Sequence, residues 1–268
     1  MEAADVAVVG AGPGGAAAAI ELARAGLDVV VLDRATFPRD KCCGDGLTTS
    51  ALRHLERLGL QPGTVASWQP VDACWVRSPS GRVVDLPFPR GAQFAAVARR
   101  TDLDAALVDV ARAAGAKVHE GRAVTDVAWS VDDVTLHTSG GGPVTARYVV
   151  AADGAWSRVR KALGLSEPGY LGEWHAARRY VDTPGERGMW VWFEQDLLPG
   201  YAWSFPVGGG PANVGFGVLR RPGVPLPGTA ARWQQLVASP HVRAVLGDVA
   251  DEAPVRAWPI MPIEPRPR

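Results

Sequence analysis

The chain has 268 residues, 47% hydrophobic and 21% charged, enough apolar material for a sizeable core in one large domain or two interleaved ones. Lysine plus arginine and aspartate plus glutamate both number 28, and no basic stripe is interleaved with aromatics, so a nucleic-acid role is not expected. Its three cysteines, Cys42, Cys43 and Cys74, offer neither a disulfide framework nor zinc-ligand spacing, and no uninterrupted apolar run reaches membrane-spanning length. This predicts reduced thiols, a cytoplasmic location and membrane contact that is peripheral at most.

The first element is a strand of apolar residues from Asp5 that runs straight into Gly10, Gly12, Gly14 and Gly15. The Ala-rich helix-forming run Ala16–Ala25 follows, then a second buried strand, Leu27–Asp33, that ends in an acid. Strand, glycines, helix, strand and acid in that order predict a dinucleotide-binding βαβ unit. Gly10 permits the sharp turn, Gly12 lets backbone N–H groups approach a pyrophosphate, and Gly15 allows helix and sheet to pack closely. Asp33 is placed to accept hydrogen bonds from an adenosine ribose, with Arg34 beside it.

Residues 34–46 are too polar and Gly-rich for regular structure and predict a binding loop after a parallel strand. Apolar spacing predicts a helix over Leu47–Leu58, stopped by Gly59. From Pro70 short β-rich pieces, Ala73–Val76 and Val83–Leu86, point to hairpins of a second sheet inserted in the first domain. Thr101 is expected to cap a helix running to Ala114, and Lys117–Glu120 to form the next parallel strand. Val124–Trp129 and Val134–His137 alternate as an antiparallel ribbon would. Thr145–Ala152 is a further buried strand that delivers Asp153 and Gly154 into a turn, after which Ser157 caps a helix over Arg158–Leu163. The remainder reads as a mostly antiparallel sheet, Trp174–Val181, Met189–Phe193, Tyr201–Val207 and Asn213–Leu219, with a short helix over Ala230–Val237. From Trp258 the prolines predict an extended tail, neither helix nor internal strand.

The Gly-Ala-Gly-Pro-Gly-Gly start, the Arg100-x-x-Leu-Asp104 segment and the Asp153-Gly154 turn together resemble the flavoprotein hydroxylase superfamily with the para-hydroxybenzoate hydroxylase fold. Lys41-Cys-Cys-Gly-Asp-Gly-Leu47 and Pro199-Gly-Tyr-Ala-Trp-Ser-Phe-Pro206 are similar to the Cys-Gly loop and Pro-x-Tyr-x-Trp-x-Phe-Pro strand of its geranylgeranyl reductase branch. The resemblance implies an α/β fold in which a Rossmann-like FAD-binding domain (1–69 and 99–168) interleaves with a mostly antiparallel β-sheet substrate domain (70–98 and 169–268). It implies FAD as cofactor, NADPH or ferredoxin as electron donor, and a prenyl lipid or isoprenoid quinone as substrate. The reaction would be saturation of isoprenoid double bonds by hydride transfer from reduced flavin. A second flavin fingerprint that the family carries after a segment like Trp258–Glu264 is not met before Arg268. A truncated gene product, a sheet short of one strand and weak FAD binding are therefore expected.

The resemblance also assigns roles. Gly10, Gly12, Gly14, Gly15 and Asp33 form the ADP half of the FAD site, Arg100 contacts its phosphates, Val124 meets adenine through its backbone, and Asp153 and Gly154 lie near the pyrophosphate. Cys43, Gly44 and Gly46 lie beside the isoalloxazine ring. Cys43, or a water held near Asp45 or Tyr201, is the proton source. Tyr201, Trp203 and Phe205 are two apart on a strand and make one apolar wall for a polyprenyl chain. Plainer readings stand beside these: a solvated arginine at Arg100, a core valine at Val124, a local cap at Asp153, an inert packing thiol at Cys43, and ordinary core aromatics at residues 201–205. Two other functions fit the same scaffold, a flavin monooxygenase or halogenase, although no Lys-Ser motif of the halogenase type is present, and a non-catalytic nucleotide-binding fragment.

Overall fold

A computed structural model describes residues 2–166, 172–183, 188–220, 228–249 and 255–260. The chain begins with β1 (Glu2–Val9), α1 (Pro13–Arg24) and β2 (Val29–Leu32). It continues through β3 (Gly46–Leu47), α2 (Thr49–Arg57), a 3-10 turn at Pro62–Thr64, β4 (Gln69–Val71), β5 (Ala73–Arg77), β6 (Val83–Pro87) and β7 (Ala95–Val97). Then come α3 (Arg100–Ala113), β8 (Lys117–His119), β9 (Val124–Trp129), β10 (Val134–Thr138), β11 (Val144–Ala151) and α4 (Arg158–Ala162). The last part comprises β12 (Trp174–Asp182), β13 (Met189–Trp192), β14 (Ala202–Pro206), β15 (Pro211–Leu219), α5 (Thr229–Ala238), α6 (Pro240–Leu246) and β16 (Arg256–Ile260).

Two compact units result, the first made of residues 1–40, 54–65 and 100–170, the second of 41–53, 66–99 and 171–268. The first holds a six-stranded sheet of order β8-β2-β1-β11-β10-β9, in which β8, β2, β1 and β11 are parallel and β10 and β9 antiparallel. All four residues of β2 and the last four of β1 are buried, as expected of central parallel strands that read as unbroken Val and Ala runs. Pro13 fits the first helical position of α1, where a backbone donor would go unused, and Ala16 and Ala19 bring the helix close to the sheet. The last residue of α1, Arg24, donates to the carbonyls of Arg57 and Leu58 at the end of α2, at 3.2 and 2.9 Å.

The edge of that sheet is fastened by Glu2, whose carboxylate meets His119 Nε2 at 2.8 Å and Arg122 Nη1 at 3.0 Å. Burial works to raise the Glu2 carboxyl, but the hydrogen bonds and charges of His119 and Arg122 outweigh it and hold the group below its ordinary value of 4.5. The stability this depression supplies is fully present above the unfolded value and is lost as pH falls through the folded one. Glu2→Gln is therefore expected to flatten the acid limb of stability below about pH 4.5, measured by urea unfolding between neutral pH and that limb, and to leave the neutral plateau lowered.

The second unit holds a seven-stranded sheet of order β16-β12-β15-β14-β13-β5-β6, antiparallel except where β5 meets β13, and a small sheet of order β3-β7-β4. Its core lies between β12–β15 and the helices α5 and α6, with Trp192, Val214, Trp233 and Val242 fully enclosed.

The structure departs from the sequence reading at several points. Gly46 and Leu47 pair with Val97 and Ala96, so the helix expected from Leu47 begins only at Thr49. Thr101 lies inside the first turn of α3, which starts at Arg100, and does not cap it. Residues 41–53, placed with the nucleotide domain by sequence, pack with the second unit because β3 pairs with β7 there. The helix α6 was not anticipated, its Pro240 sitting at a tolerated N-terminal position. The tail, where described, is extended as expected: β16 pairs with β12 at the sheet edge, where prolines are tolerated. Residues 261–268 lie outside the described residues.

Candidate active site

In the first unit the glycine turn is shaped by close approaches. Gly10 has φ +97°, and a Cβ there would fall 2.4 Å from the Ala152 carbonyl oxygen and 2.9 Å from Asp153 Cα, so this turn is packed against the Asp153–Gly154 turn. A Cβ at Gly15 would fall 1.7 Å from the Gly10 carbonyl oxygen. Gly14, by contrast, has nothing within 4 Å of such a carbon. Gly12 is the N-cap of α1, and a Cβ added there would lie 3.4 Å from Arg39 Nη2 and 3.9 Å from Arg100 Nη2. Helix amino end, glycine turn and two guanidinium groups together fit a diphosphate.

Those two arginines share one buried carboxylate. Arg100 holds Asp104 through Nε at 2.6 Å and Nη2 at 2.8 Å, and Arg39 Nη1 lies 2.9 Å from Oδ2 of the same residue, whose side chain is wholly enclosed. Sequence reasoning found Arg100 but missed Arg39 and gave Asp104 no role; the i,i+4 spacing of Arg100 and Asp104 on a helix was the available signal.

Asp33 is buried and ties the turn together, accepting from the Ala11 N–H at 2.7 Å and from the Ala35 N–H at 2.8 Å. A carboxylate offers about four lone-pair sites, so ribose hydroxyls can still be served. Arg34 next to it is exposed. Val124 is a buried strand residue in the core of this unit. Asp153 serves as a local acceptor at the start of α4, taking the N–H of Arg158 at 2.6 Å and of Val159 at 3.3 Å, while Ser157 caps the Arg160 N–H at 2.9 Å.

In the second unit the thiol loop lies on the aromatic strand. A Cβ at Gly44 would meet the Trp203 indole at 3.4 Å, and one at Gly46 would meet Met189 Cε at 2.9 Å and Phe205 at 3.2 Å. Gly46 thus lies tight against Phe205 and the end of Met189, while Gly44 touches the indole at ordinary contact distance. Tyr201, Trp203 and Phe205 do share a face, with ring centroids 6.0 and 6.2 Å apart, and Phe193 adds a ring 5.9 Å from Tyr201. The wall is graded: Trp203 is 6% exposed, Phe205 partly buried and Tyr201 41% exposed. Gly215 makes room for the indole, since a Cβ there would lie 2.5 Å from Trp203 Cζ2 and 2.4 Å from the Ala177 carbonyl oxygen. Gly215→Ala is expected to destabilise the protein by about 1–3 kcal/mol through overpacking, read by urea unfolding.

Asp45 is 2% exposed and has φ 63°, a left-handed conformation that aspartate tolerates better than most residues. Its carboxylate accepts from the Tyr180 hydroxyl at 2.6 Å and from the Asn213 amide at 2.8 Å, and its carbonyl accepts from the Ala98 N–H at 3.0 Å. Asn213 also donates to the Cys43 carbonyl at 2.8 Å and accepts from Trp203 Nε1 at 3.1 Å. The guanidinium carbons of Arg99 and Arg178 lie 4.7 and 4.3 Å from the Tyr180 ring centre. The Cys43 sulfur accepts from the Asp45 N–H at 3.4 Å. Asp45 thus gathers Tyr180, two elements away from the Tyr201 that the sequence offered. Tyr180 and Asn213 were missed because nothing in their own strands marks them. Of the other thiols, Cys74 is pushed up by burial and Cys42 Sγ faces the Arg256 carbonyl oxygen at 3.5 Å.

A family model described as an FAD binding domain matches residues 3–201. The chain belongs to this FAD-binding family. Among its curated relatives, a menaquinone reductase of Mycolicibacterium smegmatis is 41% identical over 240 residues, covering 81% of this chain and 55% of that protein. A digeranylgeranylglycerophospholipid reductase of Methanopyrus kandleri is 34% identical over 258 residues, covering 91% and 65%. The chain thus spans between about half and two thirds of the length of these relatives. Among solved structures, a geranylgeranyl bacteriochlorophyll reductase-like protein of Thermoplasma acidophilum superposes with a TM-score of 0.71 at 27% identity, over 81% of this chain and 57% of that one. The halogenase PltM gives a TM-score of 0.76 at 19% identity, over 96% and 60%, and shares the fold. The interleaved Rossmann-like and antiparallel architecture is the one expected from the resemblance. No helix among the described residues is long and apolar enough to cross a membrane, and none of their His, Cys, Asp and Glu side chains cluster in threes as a metal site would require.

Proposed function

We propose that the chain is the flavin- and substrate-binding part of an isoprenoid double-bond reductase acting on a menaquinone side chain or a geranylgeranyl lipid. The observation that carries this reading is the thiol loop seated by two glycines on a graded aromatic strand, beside relatives named for those two substrates. The glycine turn, Asp33, Arg39 and Arg100 hold the ADP end of FAD. Bound and reduced by NADPH or ferredoxin, FAD supplies the electron pair and one hydrogen that saturation of an alkene needs.

The chain must supply the other hydrogen as a proton and keep water from the double bond. Asp45 is a poor source, because its carboxylate is engaged as an acceptor by Tyr180 and Asn213. Cys43, whose sulfur accepts from the Asp45 N–H within the loop, takes this role. Tyr201 and Phe193, at the exposed end of the wall, receive the polyprenyl chain, while Trp203 is held beneath the loop. A lipid substrate also makes peripheral membrane contact part of the proposal.

Anaerobic incubation of the photoreduced, FAD-loaded protein with menaquinone or with geranylgeranyl lipid tests the reading by mass spectrometry. A gain of two hydrogens per bond in one of them is expected. No saturation of either, with oxygen uptake driven by an aromatic substrate, would favour a monooxygenase instead.

A further inference from the structure

The polar cluster of the second unit carries more than a fold contact. Asn213 lies on the central strand β15, opposite Tyr180 of β12 on one side and Phe205 of β14 on the other. From that place, fully buried, its single amide reaches three groups: the Trp203 indole N–H, the Cys43 carbonyl and the Asp45 carboxylate. Tyr180 supplies the second donor to the same carboxylate oxygen. A buried amide and carboxylate are costly unless bonded, so side chains kept there have to repay desolvation through the geometry they fix. What they fix is the backbone from Cys43 to Asp45, including the left-handed Asp45 whose N–H points at the Cys43 sulfur. Gly44 cannot carry this alone, since a glycine adds conformational freedom to the loop.

We infer that Asn213 and Tyr180 are positioning residues that lock the Cys43–Gly46 loop onto the aromatic strand and thereby set where the Cys43 thiol stands. The consequence for catalysis rests on the reductase reading above; the locking does not. Asn213 acts on both partners at once, holding the loop through Cys43 and Asp45 and the wall through Trp203. Tyr180 acts on the loop through Asp45, with Arg99 and Arg178 against its ring.

The test uses FAD-loaded protein in which Cys42→Ser and Cys74→Ala leave Cys43 as the remaining thiol. Iodoacetamide alkylation of Cys43 at fixed pH is expected to speed up about tenfold in Asn213→Leu, which keeps the volume but removes all three bonds, and about threefold in Tyr180→Phe, which removes one hydroxyl. With whichever of menaquinone and geranylgeranyl lipid the parent saturates, kcat should fall about tenfold in Asn213→Leu while KM changes less than twofold, the split expected when a reacting group is misplaced. Val218→Ala, on the same strand but away from the loop, serves as control and should alter neither. Alkylation within twofold of the parent in both variants, or an equal rise in the control, overturns the inference. If Asn213→Leu does not fold, Tyr180→Phe decides the outcome. If the parent saturates no isoprenoid, alkylation still decides the locking and the failure belongs to the functional reading.

Discussion

Replacing Gly15 by alanine is expected to destabilise the protein by about 3 kcal/mol, whereas the same change one residue earlier, at Gly14, is expected to leave folding unchanged or improve it slightly. The two positions share a motif but not a physical reason for glycine. At Gly15 the added carbon would sit 1.7 Å from the Gly10 carbonyl oxygen and 3.2 Å from Ala152 Cβ, and the obstacle is backbone at the crossing of helix and sheet, which cannot swing aside. At Gly14 the carbon meets nothing within 4 Å and gains helix propensity. Urea unfolding followed by circular dichroism checks the pair. Similar losses at both positions would show that the turn is held by something other than this close approach.

The second large effect is expected at Asp104. Its side chain is fully enclosed and pairs with both Arg100 and Arg39, so Asp104→Ala takes from two guanidinium groups the carboxylate they share. Removing one member of a buried ion network typically costs about 3–5 kcal/mol. Asp104→Asn retains the shape and part of the hydrogen bonding and should lie between parent and alanine. Thermal unfolding of the three proteins is the measurement, with the order parent, asparagine, alanine as the expected result. An alanine variant as stable as the parent would mean that the arginines find other partners.

Much of the architecture was legible because the first sheet is written in unbroken Val and Ala runs bounded by glycines. Here local propensity, burial and turn chemistry agree, and β1, α1, β2 and the pairing of β9 with β10 follow from them. Short strands such as β3 and β7 were not legible, since Gly46–Leu47 becomes a strand only through its partner Ala96–Val97. The site shows the same division. The glycine turn, Asp33, Arg100 and the aromatic trio carry local signals of spacing and type. Arg39, Tyr180 and Asn213 do not, because their importance comes from what distant parts of the chain bring to them: Asp104, Asp45 and the Cys43 carbonyl respectively. Asp153 shows how one motif serves two readings, for the residue expected near a pyrophosphate is also the acceptor that starts α4.

The proposed FAD site depends most directly on the pair of guanidinium groups beside Gly12. Calorimetric titration of the purified protein with FAD is expected to give one site, weakened about tenfold or more in each of Arg39→Ala and Arg100→Ala, as the loss of a charge-assisted bond to phosphate requires. FAD affinity that is the same in the parent and both variants would contradict it.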